Sequence, residues 1–240
     1  MEPDTFEIRL EALSRLEDVW EAMVAFAGDC GVIRLGYHHL PPPGAPDAGL
    51  LRIENDGFAG ELLAQYLAAR TSGIAVLANI IQNSVRPVYL DELASLVELT
   101  PAERAHLATY RAAGVRNGLG LQVFGPNGRN GIFAIDLGDR PRLAPEVMAR
   151  LRWAGQAMHL RYCALLQPQL GTLPRLSSRE AEVLTWVARG KSNASIADIL
   201  GISAHTVDAH LRRIFLKLGV VDRMSAALRG LGFGLINLES

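Results

Sequence analysis

Cationic and hydrogen-bonding side chains are concentrated between residues 191 and 217 of this 240-residue chain. The chain has only two lysines, and they stand at the two ends of this segment, as Lys191 and Lys217. Cations that flank short polar side chains can neutralise phosphates while the polar side chains bond to base edges. The candidate contact residues are Lys191, Asn193, Ser203, Thr206, Val207, Asp208, Ala209, Arg212, Arg213 and Lys217.

Three predicted helices would position these side chains. Ser177 and Glu180 have the spacing of a capping box, which predicts that a helix begins at Ser177. Asn193 is the predicted cap of a short second helix, Gly201 supplies a tight turn, and Ser203 caps a third helix. This is the helix-turn-helix arrangement, whose second helix enters the major groove of DNA. A three-helix bundle with a purely structural role is the alternative.

The segment LSSREAEVLTWVARGKSNASIADILGISAHTVDAHLRRIFLKLGVVDR resembles the LuxR-type DNA-binding domain, and the resemblance extends over residues 174–238. It carries the signatures REAEVL, GKSN, IA..L.IS..TV..H and KLGV..R in that order. The resemblance implies a four-helix module that binds double-stranded DNA. Its last helix, at about Asp222 to Gly232, would form a dimer contact.

The same resemblance assigns roles to single residues of the third helix. It implies that Lys191 and Thr206 hold phosphates, and that Asp208, Ala209 and Arg212 face base edges. An acidic side chain is unusual beside a polyanion, so Asp208 has two interpretations. It accepts a hydrogen bond from a cytosine amino group, or it forms an ion pair with Arg212 four residues later in the helix.

Composition and pattern divide the chain into two domains and a linker. The segment LQPQLGTLPR interrupts the patterns on both sides, which predicts an N-terminal domain at 1–165, a linker at 166–175 and a C-terminal domain at 176–240. Residues 175–240 carry nine Lys/Arg against six Asp/Glu, while the rest of the chain carries fifteen against nineteen. This asymmetry favours contact between the C-terminal domain and a polyanion.

Mixed helical and strand patterns precede the linker. They predict a helix over 7–28, a strand within 31–40, a hairpin turning at Pro126-Asn127-Gly128 and a long helix from Ala144 to Leu166. Further helical patterns lie around 59–70, 74–83 and 101–113. The predicted fold class is therefore α+β. An N-terminal α/β/α sandwich with a small antiparallel sheet precedes an all-α helix-turn-helix domain.

Two N-terminal segments, GLGLQVFGPNGRNGIFAIDL and RPVYLDEL, resemble the autoinducer-binding domain of quorum-sensing regulators, over about residues 5–165. The two resemblances together imply a LuxR-type transcription regulator that acts as a homodimer. The alternative is a protein that forms heterodimers with another LuxR-type regulator and antagonises it. The long helix offers one candidate dimer seam, formed by Met148, Leu151, Met158 and Leu165.

The candidate ligand-pocket residues depart from the family pattern. Members that bind N-acyl homoserine lactones carry a Trp, a Tyr four residues later, an Asp-Pro and a second Trp. When the pattern is aligned on Tyr66, hydrocarbon side chains stand at the Trp and Asp positions. Such side chains neither accept a hydrogen bond from the ligand amide N–H nor donate one to the lactone carbonyl. The pocket then takes a different, more apolar ligand, or these side chains are ordinary core. The residues concerned are Leu62, Tyr66, Ala75, Val76, Tyr89 and Leu90, where Tyr89 is a candidate substitute donor.

Other kinds of chemistry have little support. His38 and His39 are neighbours in a predicted strand and therefore point to opposite faces, so no metal site is predicted. Cys30 and Cys163 have no CxxC context, which favours free thiols in a reducing cytoplasm. No nucleophile and base have a recognisable spacing, so neither an enzyme nor a cofactor is expected. No apolar run approaches the ~20 residues of a membrane span.

Overall fold

The computed structural model describes residues 3–238, which form two compact units. Unit 1 contains the chain up to Leu40, Arg52–Pro126 and Asn130–Leu166. Unit 2 contains Pro41–Leu51, Asn127–Arg129 and the chain from Gln167 onward. Among the described residues, no helix combines the length and the apolar character that crossing a bilayer requires.

A five-stranded antiparallel sheet forms the centre of unit 1, with the strand order β2-β1-β5-β4-β3. The strands are β1 (Arg34–Leu40), β2 (Ile53–Asp56), β3 (Val88–Tyr89), β4 (Gly118–Val123) and β5 (Asn130–Asp136). Strands β4 and β5 form the predicted hairpin, with Gly120 opposite Ala134 and Leu121 opposite Phe133. The short edge strands β2 and β3 were not predicted.

Two layers of helices cover the sheet, which confirms the predicted α/β/α sandwich. On one face, α7 (Pro145–Leu166) packs on β4 and carries α1 (Pro3–Ala12) and α2 (Leu16–Asp29). On the other face, α4 (Val76–Gln82) packs on β3, β4 and β5. The remaining helices of unit 1 are α3 (Gly60–Thr71), α5 (Leu93–Leu96) and α6 (Pro101–Ala112).

The first predicted helix, over 7–28, is wrong as a single element. The chain instead forms α1 and α2, which are separated by three residues that begin at Leu13. The Leu13 carbonyl accepts a hydrogen bond at 3.1 Å from the guanidinium Nε of Arg161, which lies on α7. A distant side chain therefore satisfies a backbone group at this break, so the helix need not continue.

Unit 2 contains the predicted four-helix module, and its all-α character is confirmed. Its helices are α8 (Ser178–Ala188), α9 (Asn193–Leu200), α10 (Ala204–Leu218) and α11 (Arg223–Gly232). The capping box is present, since Ser177 Oγ accepts from the Glu180 amide and Glu180 accepts from the Ser177 amide. Asn193 is not the cap of α9, because Ser192 Oγ accepts from the Ser195 amide instead.

Candidate DNA interface and ligand pocket

A tight turn joins α9 to α10 in unit 2. Gly201 ends α9 with a φ of +64°, a left-handed conformation that glycine adopts without steric cost. Ser203 then caps α10, because its Oγ accepts from the Thr206 amide at 3.0 Å. One face of α10 is buried in the core of the module, through Val207, Leu211, Ile214 and Leu218. Its other face is therefore available to a partner.

The exposed face of α10 carries an ion pair. Nη2 of Arg212 pairs with Oδ2 of Asp208, which lies one helical turn earlier. Of the two interpretations of Asp208, a contact with cytosine or an ion pair with Arg212, the structure shows the ion pair. Arg212 remains 72% exposed at its side chain, and its guanidinium keeps further N–H donors beyond the one that Asp208 takes. Arg213 is also exposed, so two guanidinium groups lie on this face.

The two lysines have different surroundings. The ammonium of Lys217 donates to Glu180 Oε2 at 2.6 Å, and the Glu180 side chain is only 4% exposed. Burial works to raise the pKa of Glu180, but hydrogen bonds from Lys217 and Ser177 outweigh it and the pKa lies below its usual value. Both lysines are exposed, but the Lys217 ammonium is paired with a buried carboxylate of the module.

Two of the predicted contact residues point inward. Val207 is fully buried in the core of unit 2, so the prediction that its side chain contacts DNA is wrong. The residue lies on the apolar face that packs α10 against its neighbours. Asn193 is half-buried, and among the described residues its Oδ1 is one of the buried atoms that lack a hydrogen-bond partner. Ser203 is exposed, whereas Thr206 and Ala209 are half-buried.

The dimer seam predicted on α7 is wrong at two of its four positions, whereas Met148 and Leu165 are half-buried. Leu151 and Met158 are fully buried in unit 1, because this side of α7 covers the sheet. Large exposed apolar side chains instead occur in unit 2, between the end of α10 and the middle of α11. They are Leu216, Val221, Met224 and Leu228.

A cavity of about 90 Å³ lies in unit 1, between the sheet and the helices α3, α4 and α6. Its walls are mainly apolar, and Leu62 and Tyr66 line it, at two of the positions selected from the sequence. Sequence reasoning missed other lining residues, among them His38, Phe58 and Tyr110. The alternation of side chains along β1 was the available signal, because it directs His38 away from the face that carries His39.

A hydrogen bond joins the two central polar groups of the cavity. The Tyr66 hydroxyl lies 2.8 Å from His38 Nδ1, with the two rings edge-to-face. Burial, helped by the positive charge of Arg70, lowers the pKa of His38 to about 4, so the imidazole is neutral near pH 7. Burial raises the pKa of Tyr66 to about 12. Tyr66, which the predicted register retains from the family pattern, is therefore neutral and already bonded.

The remaining candidate pocket positions do not line the cavity. Ala75 and Val76 are buried, Ala75 in a cluster with Leu77, Ala78 and Ile81. The Tyr89 ring lies under the guanidinium of Arg142, whose Cζ is 4.1 Å from the ring centroid.

Leu90 and Ile81 cover two glycines of β4. A Cβ at Gly118 would lie 2.4 Å from Leu90 Cδ1, and a Cβ at Gly120 would lie 1.9 Å from Ile81 Cδ1. A larger residue at either position would have to displace the end of the Leu90 or Ile81 side chain. Hydrocarbon fills the space above this strand.

Comparison with known proteins agrees with both units. Residues 15–162 match the model of the autoinducer-binding domain, and residues 174–229 match that of the bacterial regulatory proteins of the luxR family. The chain belongs to the LuxR family of bacterial regulatory proteins. It is a LuxR-type transcriptional regulator with a helix-turn-helix DNA-binding domain.

Several relatives within the LuxR family are about 30% identical to this chain. The HTH-type transcriptional regulator y4qH of Sinorhizobium fredii is 30% identical over 69% of this chain, but the match spans only 52% of y4qH. The activator AhyR of Aeromonas hydrophila is 29% identical over 72% of this chain and 70% of its own length. The quorum sensing-dependent regulator RpaR of Rhodopseudomonas palustris is 29% identical over 96% of this chain and 91% of its own length.

The fold also resembles a solved structure. Escherichia coli SdiA has a TM-score of 0.69 and 20% identity to this chain, with 97% of each chain covered. SdiA was also solved in complex with octanoyl-rac-glycerol, with the same TM-score and identity and with 94% of that chain covered.

Proposed function

We propose that this LuxR-family regulator acts in the cytoplasm, binds specific duplex DNA as a homodimer, and does so without an N-acyl homoserine lactone. One observation carries the lactone part of the proposal. The retained polar group, Tyr66, is bonded to His38, and the other family positions hold the hydrocarbon side chains Leu62, Ala75 and Leu90.

The cost to a lactone follows from its unpaired polar groups. An amide N–H or carbonyl that loses its partner in a buried site costs about 1–3 kcal/mol. An N-acyl homoserine lactone would bring both groups to this region. The two costs together are about 2–6 kcal/mol, which corresponds to roughly one and a half to four orders of magnitude in affinity. We expect the domain to fold without a ligand, because Leu90 and Ile81 pack over β4 and the remaining cavity is only about 90 Å³.

The proposed DNA contacts lie on the exposed side of α10 and beside it. Lys191, Thr206 and the N-terminus of α10 hold phosphates, since the amides of a helix N-terminus favour an anion. Ala209 and Arg212 face base edges, and Asp208 orients Arg212 through their ion pair. Arg213 adds a second cation. Lys217 contributes to the module through Glu180 rather than through DNA.

The proposed homodimer uses α11. Val221 is 93% exposed and Met224 is 67% exposed, and large apolar side chains grouped in this way mark interaction surfaces. A single DNA-binding module buries only ~600–1,000 Å² on DNA, so two modules on two half-sites give the affinity that specific binding needs. Catalysis is not part of the proposed function.

The decisive experiment measures DNA binding and ligand response in the same preparation. The purified protein, without lactone, should select a specific site from a pool of random duplexes and be a dimer by light scattering at tens of micromolar. Lactones with short and long acyl chains should leave its melting temperature unchanged, although a tight ligand at a hundredfold excess over Kd would add about 2.7 kcal/mol. Octanoyl-rac-glycerol serves as the non-lactone acyl compound in the same assay.

Two results would contradict the proposal. A rise of several degrees with a lactone, abolished by Tyr66→Phe, would mean that Tyr66 exchanges His38 for the ligand. A monomer that binds no DNA would contradict the homodimer and favour a heterodimer with another LuxR-type regulator.

A further inference from the structure

Three side chains with metal-binding atoms meet on the sheet face opposite the cavity. His39 comes from β1, and His159 and Cys163 come from α7. One ligand atom from each lies within 4.8 Å of the other two, and all three residues are buried. The sequence prediction of no metal site considered only the adjacent pair His38 and His39. Those two do diverge, but His39 finds its partners on a helix more than a hundred residues later.

The spacing of these atoms suits a metal ion. His159 and Cys163 are four residues apart on one face of α7, and Cys163 Sγ lies 3.6 Å from His159 Nε2. With metal–nitrogen bonds of about 2.0–2.1 Å and a metal–sulfur bond of about 2.3 Å, nitrogen and sulfur lie about 3.6 Å apart at a tetrahedral angle and about 3.8 Å apart at the 120° of a three-ligand site. This pair of ligand atoms therefore already has the required separation.

Tyr37 supplies the outer contact that metal-bound histidines usually have. Its hydroxyl is 2.7 Å from His159 Nδ1 and 3.3 Å from His39 Nδ1. When Nδ1–H of His159 donates to Tyr37, the lone pair of Nε2 points toward Cys163, where the metal would lie. A hydrogen bond of this kind sets the tautomer and the ring orientation of a metal ligand. Gly131 provides the room, because a Cβ there would lie 2.7 Å from the Tyr37 ring.

The charge of the buried site decides between candidate ions. Thiolate and imidazole ligands suit Zn²⁺ and Cu(I). With one thiolate and two neutral imidazoles, Zn²⁺ would leave a net positive charge inside the domain, whereas Cu(I) leaves none. An uncompensated buried charge is strongly unfavourable. We infer that His39, His159 and Cys163 form a site for a soft monovalent cation of the Cu(I) type.

Binding exchanges a proton for the metal. Cys163 ligates as the thiolate, so its proton passes to solvent while the two imidazoles stay neutral. Since all three ligands are buried, we expect slow loading of the folded protein and faster loading during refolding.

The test measures Cu(I) transfer to the full chain, refolded anaerobically with dithionite, from the colorimetric chelator bicinchoninate. The parent should take one Cu(I) per chain. Cys163→Ser should lower the affinity at least a hundredfold, and Tyr37→Phe should lower it about 10–100-fold. The matched control is Cys30→Ser, which removes the chain's other buried cysteine and should bind Cu(I) like the parent.

X-ray absorption of the loaded parent provides a readout that needs no variant, and it should show one sulfur and two nitrogen ligands. Circular dichroism checks that each variant folds. The inference fails if the parent takes no Cu(I), if Cys163→Ser binds as well as the parent, or if Zn²⁺ displaces Cu(I) at equal free concentration. It also fails if the loaded parent shows no sulfur ligand. The three residues would then form only a hydrogen-bonded part of the core.

Discussion

Lys217 and Lys191 have the same charge but different partners, so replacing each with methionine should separate stability from DNA binding. Lys217→Met removes the cation 2.6 Å from Glu180, whose side chain is 4% exposed. A lost hydrogen bond to a charged group costs about 1.5–3 kcal/mol. Lys217 itself is 39% exposed, so solvent screens part of this interaction. We expect the free energy of unfolding of unit 2 to fall by about 1–2 kcal/mol.

Tryptophan fluorescence can follow unit 2 selectively. The chain has three tryptophans, and Trp186 lies in unit 2 while Trp20 and Trp153 lie in unit 1. In a background with Trp20→Phe and Trp153→Phe, urea unfolding reports on unit 2 through Trp186. Lys191→Met, at an exposed position, should change the free energy of unfolding by less than about 0.5 kcal/mol.

The salt dependence of DNA binding should change with Lys191→Met and not with Lys217→Met, which is the reverse of their effects on stability. Each phosphate contact contributes about 0.9 to the slope of log K against log salt concentration. Lys191→Met should therefore reduce the slope by about one, while Lys217→Met leaves it unchanged. A reduced slope for Lys217→Met together with parental stability would refute this reasoning, because Lys217 would then bind phosphate rather than Glu180.

The ion pair between Lys217 and Glu180 should also make the stability of unit 2 depend on pH. Hydrogen bonds from Lys217 and Ser177 outweigh the effect of burial and lower the pKa of Glu180 below its usual value of 4.5. A lowered carboxyl pKa gives stability that is present above the usual value and lost as the pH falls through the folded value. The difference in stability between the parent and Lys217→Met should therefore shrink below pH 4.5, and a constant difference would contradict the pair.

Three further predictions concern other parts of the molecule. Gly120→Ala should destabilise unit 1 by about 1–3 kcal/mol in thermal unfolding, because its Cβ would lie 1.9 Å from Ile81 Cδ1. Adding Ile81→Val should restore part of this stability. An unchanged melting temperature for Gly120→Ala would mean that Ile81 has room to move. The pKa of His38 is about 4 in the folded protein against a usual 6.5, so the unfolded chain takes up the proton first as the pH falls from 6.5 toward 4. The free energy of unfolding should then fall by up to about 3 kcal/mol, and His38→Gln should lack this slope; equal slopes in pH-dependent urea unfolding would show that His38 is not buried and neutral. Met224→Glu should shift sedimentation from dimer to monomer with little change in melting temperature, and an intact dimer would place the interface away from α11.

The structure of unit 2 could be predicted from the sequence because local interactions define its helix ends and turns. The hydrogen bonds of the Ser177–Glu180 box and of Ser203 with Thr206 join residues three apart. Gly201 acts through its own backbone conformation. Such interactions depend on neighbouring residues, so their spacing predicts them. Even here, the cap at Ser192 was missed, because Ser192 and Asn193 are adjacent and both are good caps.

The structure of unit 1 was harder to predict, because the contacts that define its helix ends and strands join residues far apart in the sequence. The break between α1 and α2 depends on Arg161, 148 positions from the carbonyl that it satisfies. The two-residue strand β3 exists through pairing with β4.

The sequence by itself determined the family and the two kinds of domain, and it predicted hydrocarbon at positions where the family pattern has polar groups. Only the tertiary structure decided what occupies those positions. It joined Tyr66 to His38 across 28 residues and Tyr37 to His159 across 122. The physical reason is that side-chain type and periodicity assign a residue to a face of an element, while packing selects which faces meet.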